Sequence, residues 1–265
     1  MKEIESNKHA WGLLSKEHYE TFKARFENGT HKLNRYIEKE VGDLSGKSVI
    51  HLQCNTGADT MLLARMADKA VGVDLVPSNI HYAKQLSQDL KLSNVDFIAA
   101  DIMSFMKTHA ETYDVVFVSE GAIGWLPDLD KWAKTARHLL NEGGYLYLYE
   151  SHPFFNMMDE GKLAKGELEV KYPYFDKEPD LDESIGGYAG ETKSNVKTYF
   201  WMYTISDVLN ALIKAGLQLE FFNEYTEIFW KFCEGMEKTG QDELYEFPFN
   251  KGKFPISFSL KARKG

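Results

Sequence analysis

Residues 49–64, V-I-H-L-Q-C-N-T-G-A-D-T-M-L-L-A, constrain this chain more than any other stretch. An apolar run of Val49, Ile50 and Leu52 stops at a polar turn closed by Gly57. A helical pattern then begins at Asp59 and Thr60 and carries Met61, Leu62, Leu63 and Ala64. Strand, tight turn and helix N-terminus in succession build a nucleotide-sized pocket, because a ligand there meets free backbone N–H groups and the positive helix end.

Downstream, strand and helix keep alternating. The spacing predicts strands at 48–53, 70–73, 95–99, 113–118 and 145–150, the fourth almost wholly apolar as a strand buried on both faces should be. Between them lie a helix opened by Pro77 with Ser78 as its cap, a short helix around Phe105, and a helix from Leu129 to Leu140 ended by Gly143-Gly144. Strict strand–helix alternation predicts an α/β fold with a doubly wound, mostly parallel sheet.

Three further regions frame that core of residues 46–150. Residues 1–45 form a helical cover: Trp11, Leu14, His18, Tyr19, Phe22 and Phe26 recur at helical spacing, either as helices packed on a sheet edge or with Trp11 or Tyr19 facing a ligand. In 151–200 the rhythm breaks, with three prolines and five glycines between 151 and 198, and ten acidic residues against four lysines from Asp159 to Glu191. So long an irregular segment that still carries aromatics reads as a substrate-side insertion. Tyr199, Trp201 and Tyr203 alternate at its end as a candidate aromatic wall. Residues 201–265 then supply a helix stopped by Gly216 and two last strands, completing a single domain.

Charge and cysteine content narrow the function classes. A formal net charge of -9 over 265 residues argues against a dedicated nucleic-acid binder. Cys54 and Cys233, far apart and without metal-site spacing, read as two buried reduced thiols, with no metal site. No signal-peptide pattern opens the sequence and no apolar run could span a bilayer, so the expectation is a cytoplasmic protein without membrane contact.

In an open parallel sheet, ligands bind beyond the carboxyl ends of the strands. Residues 53–57, Asp74, Asp101, 119–121 and 150–152 lie there. Asp74 follows Gly57 by 17 residues, where a carboxylate reaches a ribose diol, and Asp101 is placed for an adenine amino group. These residues resemble the class I S-adenosylmethionine-dependent methyltransferases. His51 to Gly57 stands at the family's first motif, Asp74 at the acid closing strand two, Asp101-Ile102 at the adenine-side motif, Ser119-Glu120-Gly121 at the end of strand four, and Leu140 to Gly144 at its L-x-P-G-G turn. The H-L-Q-C sequence and the turn Trp125-Leu126-Pro127-Asp128 are similar to a bacterial small-molecule branch.

Here His51 replaces the usual acid, while Gln53 and Asn55 replace two of the family's three glycines. Asn tolerates the left-handed backbone, and the Gln53 amide can bond the carboxylate or ammonium of a methionine moiety. A pyrophosphate would need close backbone approach over several glycines, which disfavours an NAD-dependent oxidoreductase.

The resemblance implies a Rossmann-like methyltransferase fold of seven strands in order 3-2-1-4-5-7-6, strand seven antiparallel, binding S-adenosylmethionine and releasing S-adenosylhomocysteine. It implies cofactor contacts from Gln53, Asn55, Gly57, Asp59, Thr60, Asp74, Leu75, Asn79, Asp101, Ile102, Ser119, Glu120 and Gly121. The expected activity is methyl transfer to O, N or S of a small molecule by a monomer or homodimer, without nucleic acid. Candidate proton acceptors are His152 and Glu150, with Glu120 a third. A non-catalytic adenosylmethionine-binding regulator is the alternative.

Overall fold

The computed structural model describes residues 2–186, 188–240 and 244–265. Its sheet strands are β1 (Ser48–Leu52), β2 (Lys69–Asp74), β3 (Val95–Ala99), β4 (Tyr113–Val118) and β5 (Leu140–Ser151). Beyond them, β6 (Asp180–Ile185) and β7 (Lys193–Phe200) form a separate hairpin, and the sheet is completed by β8 (Leu217–Tyr225) and β11 (Ser257–Lys264). Two short strands, β9 (Glu237–Lys238) and β10 (Tyr245–Glu246), pair between these last two.

The seven-stranded sheet runs β3-β2-β1-β4-β5-β11-β8, with β1 to β5 parallel and β11 antiparallel to both neighbours. Numbered among themselves, these strands have the expected order. Alternation along them feeds two cores. Ile50, Leu52, Val116, Val118, Leu146 and Leu148 pack with Trp132 and Leu212 on one face. Val49, Val115, Phe117, Tyr145, Tyr147 and Tyr149 pack with Ile37, Val41 and Leu63 on the other. Four consecutive residues of β4, Val115 to Val118, are fully buried, each contributing roughly 1.5–3 kcal/mol relative to exposure. The three tyrosines of β5 bury their rings while their hydroxyls reach Val41 O, Glu40 and Ser257.

Helices cover both faces: α1 (Lys2–Glu27), α2 (Arg35–Val41), α3 (Ala58–Met66), α4 (Pro77–Asp89), α5 (Ile102–Phe105), α6 (Leu129–His138), α7 (Pro153–Asn156), α8 (Glu160–Leu163) and α9 (Ile205–Lys214). No helix among the described residues is long and apolar enough to cross a membrane. Helix α9 starts in a reciprocal cap between Thr204 and Asp207 and ends before Gly216, at φ 83°.

Four expectations need correction. Ser78 does not cap α4: it lies inside the helix, and its hydroxyl pairs with that of Ser15, 2.9 Å away on α1. Helix α6 stops at His138, and Gly143-Gly144 belongs to β5, where the register against β4 shifts. A side chain at Gly144 would come within 2.9 Å of the Asp114 carbonyl, so glycine permits that close approach. The 151–200 segment is built rather than irregular. It holds α7, α8 and the β6–β7 hairpin, and β7 packs on α1. Finally, Cys54 is buried but Cys233 only half so.

Candidate functional site

The turn after β1 is held by backbone bonds and strained where side chains are left over. Cys54 N–H donates to Val73 O at 3.0 Å, and Gly57 N–H to Cys54 O at 2.8 Å. Gln53 and Asn55 take left-handed φ values of 53° and 51°. Each costs roughly 1–2 kcal/mol by the usual Cβ conflict, a cost the surrounding bonds must hold down. Gly57 has no substitute, since at φ 75° its Cβ would meet the Phe97 ring at 2.6 Å. The amide oxygen and nitrogen of Gln53 are buried without a hydrogen-bond partner, as is the Thr56 hydroxyl. Gln53 lines a narrow pocket of about 40 Å³ with Asp74, Leu75, Asp101, Ile102 and Trp125. This pocket shares Leu75, Asp101 and Met103 with an open groove of about 630 Å³, to which Lys8, Lys107 and Lys131 also contribute.

Asp74 closes β2 and is 9% exposed. Its Oδ1 accepts from Val76 N–H (2.9 Å) and the Asn79 amide (3.1 Å), and its Oδ2 from Asn55 N–H (2.8 Å). Burial lifts its pKa to about 6 against the pull of those bonds. Each oxygen can accept two bonds, so Oδ2 retains capacity for one further hydroxyl. Asn79 is consumed by the fold, donating to Asp74 and accepting from Ser15 at 2.6 Å. Asp101 caps α5 by accepting from Met103 N–H at 2.9 Å, while also lining the groove.

The C-terminal end of β4 meets the start of α3. Ser119 Oγ donates to Asp59 Oδ2 at 3.2 Å, and His31 Nε2 lies 3.2 Å from Asp59 Oδ1. Burial acts against the Asp59 charge, but His31, His51 and Ser119 hold its pKa below the usual range. Thr60 lies behind this layer, 2.9 Å from His51 Nδ1, and burial drives the His51 pKa down to about 4, leaving that ring neutral. Glu120 accepts from the Asn34 amide at 2.6 Å. Burial and the neighbouring charges of Asp59 and Glu150 raise its pKa well above the carboxylate range. Gly121 follows at φ 76°, facing Phe229.

The end of β5 is different. Glu150 Oε2 accepts from Ala122 and Ile123 N–H at 2.7 and 3.0 Å, and Oε1 from the N–H and hydroxyl of Ser151 at 2.8 and 3.1 Å. All four acceptor positions are used, so this carboxylate pins the 119–123 loop and has none left for a substrate proton. His152 caps α7, its Nδ1 accepting from Phe154 N–H at 3.1 Å. Its Nε2 lies 3.1 Å from Glu224 on β8, with the ring edge-on to Phe258. Burial lowers its pKa, opposed by Glu224.

A cover forms over the β1 turn. His18 on α1 is fully buried. Its Nδ1 lies 3.1 Å from Asn55 Oδ1, and Tyr188, from the segment joining β6 to β7, approaches both at 3.2–3.3 Å. Trp11 stacks edge-on to Trp125 in the pocket wall, with ring centroids 5.2 Å apart. Tyr19 instead turns to α4, against Tyr82 and Asp89. The alternating aromatics hold rather than line. Trp201 N–H donates to Gly124 O at 2.7 Å and Tyr203 OH to Leu126 O at 2.6 Å, while the Tyr199 backbone pairs with Asn7. Sequence reasoning missed Tyr188 and the role of His18. The available signals were an aromatic between glycines and a histidine seven positions after Trp11 on one helix face. Among the described residues, no group of three or more His, Cys, Asp or Glu is placed to hold a metal ion.

Known proteins match this chain in sequence and in fold. Residues 43–197, more than half of the chain, match a family described as "Methyltransferase domain". A Clostridium acetobutylicum protein named as an uncharacterized RNA methyltransferase is 29% identical over 104 residues, 39% of this chain and 23% of that protein. A ubiquinone biosynthesis O-methyltransferase of Coxiella burnetii is 29% identical over 113 residues, 43% of this chain and 47% of that enzyme. The matches thus span about a quarter to a half of the length of these curated relatives. The crystal structure of a Methanosarcina mazei SAM-dependent methyltransferase superposes with TM-score 0.60 at 16% identity, covering 88% of this chain and 99% of that one. The chain belongs to the methyltransferase-domain family and has the class I fold of the S-adenosylmethionine-dependent enzymes.

Proposed function

We propose that this methyltransferase moves a methyl group from S-adenosylmethionine to an oxygen, nitrogen or sulfur atom of a small molecule, in the cytoplasm. The observation that carries the reading is the Gln53 amide, buried at the β1 turn with neither atom bonded to protein. A buried amide without partners costs about 1–3 kcal/mol per group, a penalty relieved by a ligand that both donates and accepts. The amino-acid end of adenosylmethionine does so, its carboxylate taking the N–H and its ammonium the C=O. Asp74 Oδ2, with one position free, would take a ribose hydroxyl, and Leu75, Asp101 and Ile102 would border the adenine. Ser119 to Gly121 would lie nearest the methyl group. The donor supplies an activated sulfonium, so the protein's task is to hold an acceptor in line and manage its proton.

A small acceptor is supported by the roof of α1 and Tyr188 over the turn, and by the net charge of -9. The name of the Clostridium relative favours RNA instead, through a match over less than half of this chain.

Calorimetric titration with S-adenosylmethionine, S-adenosylhomocysteine and NAD tests the cofactor. Heat with the two sulfur compounds and none with NAD is expected, and silence from both sulfur compounds at high concentration sinks the proposal. Radiolabelled methyl transfer to a small-molecule extract and to total RNA then separates the acceptors. Label confined to RNA overturns the small-molecule reading, and label in neither fraction favours the regulatory alternative.

A further inference from the structure

Beyond the donor site, and resting on the function proposed above, the geometry points to His18 Nε2 as the base that takes the proton from an O–H or N–H acceptor. The hydrogen bonds favour one tautomer. Asn55 Oδ1 accepts Thr56 N–H at 2.7 Å, which orients the amide with its oxygen toward that N–H and its nitrogen toward Tyr188 OH, 3.2 Å away. That same oxygen lies 3.1 Å from His18 Nδ1 and can only accept, which favours the hydrogen on Nδ1 over the arrangement in which Nδ1 accepts from the Tyr188 hydroxyl at 3.3 Å. In the neutral ring Nε2 is then a bare lone pair. It is buried and has no hydrogen-bond partner, on a side chain with no exposed surface.

The ring is locked in place by edge contacts with Tyr188, Trp11 and Phe22, at centroid distances of 4.8, 6.0 and 6.2 Å. The titratable groups around it are Glu17 on its own helix, Tyr188 from the hairpin, and His31 with Asp59 beyond Phe22. Burial lowers the His18 pKa, with the Asn55 bond and Glu17 opposing, so the ring stays neutral at pH 7. Tyr188, in contact with it, also accepts from the Asn55 amide, which puts this corner against the β1 turn that carries Gln53.

The step balances. The acceptor's lone pair forms the new bond to the methyl carbon while the electron pair of the breaking C–S bond stays on sulfur. The acceptor's proton passes to Nε2, and the imidazolium keeps its Nδ1–H bond to Asn55. One positive charge disappears at sulfur and one appears on the ring, so the pocket's net charge is unchanged.

Two measurements test this. With 15N-labelled histidine, the donor-free protein at pH 7 should show His18 neutral with its proton on Nδ1; a charged ring, or one with the proton on Nε2, overturns the inference. His18→Asn places an amide N–H near the Nδ1 position and deletes Nε2. It should lower single-turnover transfer to catechol about 10²–10⁴-fold. Transfer to 4-nitrothiophenol, which arrives ionised, should change less than about tenfold, with donor affinity by calorimetry within about threefold. Equal loss on both acceptors, or none on catechol, overturns it. If neither probe is methylated, a charged ring or a proton on Nε2 still overturns the base. Absence of donor heat in the wild type is a separate outcome, since it removes the function and not only its base.

Discussion

The turn after β1 and the end of β5 stand on the same rim of the sheet, and both present polar side chains at strand termini. They differ in what those side chains have left to offer. At Glu150 every acceptor position is filled by the 119–123 loop and Ser151, and at His152 the ring caps a helix through Nδ1, with only Nε2, 3.1 Å from Glu224, left over. At the β1 turn, the Gln53 amide, the Thr56 hydroxyl and His18 Nε2 are buried with nothing to bond. A strand-end position predicts where ligands bind in this fold, and the larger share of unsatisfied polar atoms at the β1 turn is the reason we propose that terminus for the donor.

The contrast can be broken by substitution. Glu150→Ala should have the largest effect, destabilising the protein by about 3 kcal/mol in chemical denaturation because it strands buried loop N–H donors. If Glu150→Gln leaves stability intact yet abolishes transfer, the carboxylate is chemical after all. Gln53→Ala should do the reverse, weakening S-adenosylmethionine about tenfold while stabilising the donor-free protein by about 1–3 kcal/mol, since it removes the unpartnered amide. An unchanged affinity would move the donor's amino-acid end elsewhere. His152→Ala should cost about 1 kcal/mol as a lost cap, and His152→Asn, which restores one, should recover most of it. A collapse of transfer in the Asn variant would return His152 to the chemistry.

The smallest effect is in pH. Burial raises the Asp74 pKa to about 6, so the charged form is lost as pH falls through that value. Donor affinity should therefore drop about fourfold between about pH 7 and pH 5.5 in calorimetry, as the ionised fraction falls. A flat profile would mean that Asp74 serves only the turn it already holds.

The sequence by itself determined the strands of the seven-stranded sheet, the Gly57 turn, the end of α9 at Gly216 and, by resemblance, the sheet order. Each rests on local periodicity or on a backbone conformation that few residues tolerate. Left-handed Asn55 was legible for the same reason, and the structure has it at φ 51°. Only the tertiary structure decided which polar groups stay free. Ser78 looked like a cap until Ser15, 63 positions away, took its hydroxyl, and Glu150 looked like a base until a loop from the neighbouring strand filled its oxygens. His18 meets Tyr188 across 170 positions of sequence. Hydrogen-bond satisfaction is non-local, so no window of the sequence contains both partners, and the corner around His18 emerges only when the chain closes over the β1 turn.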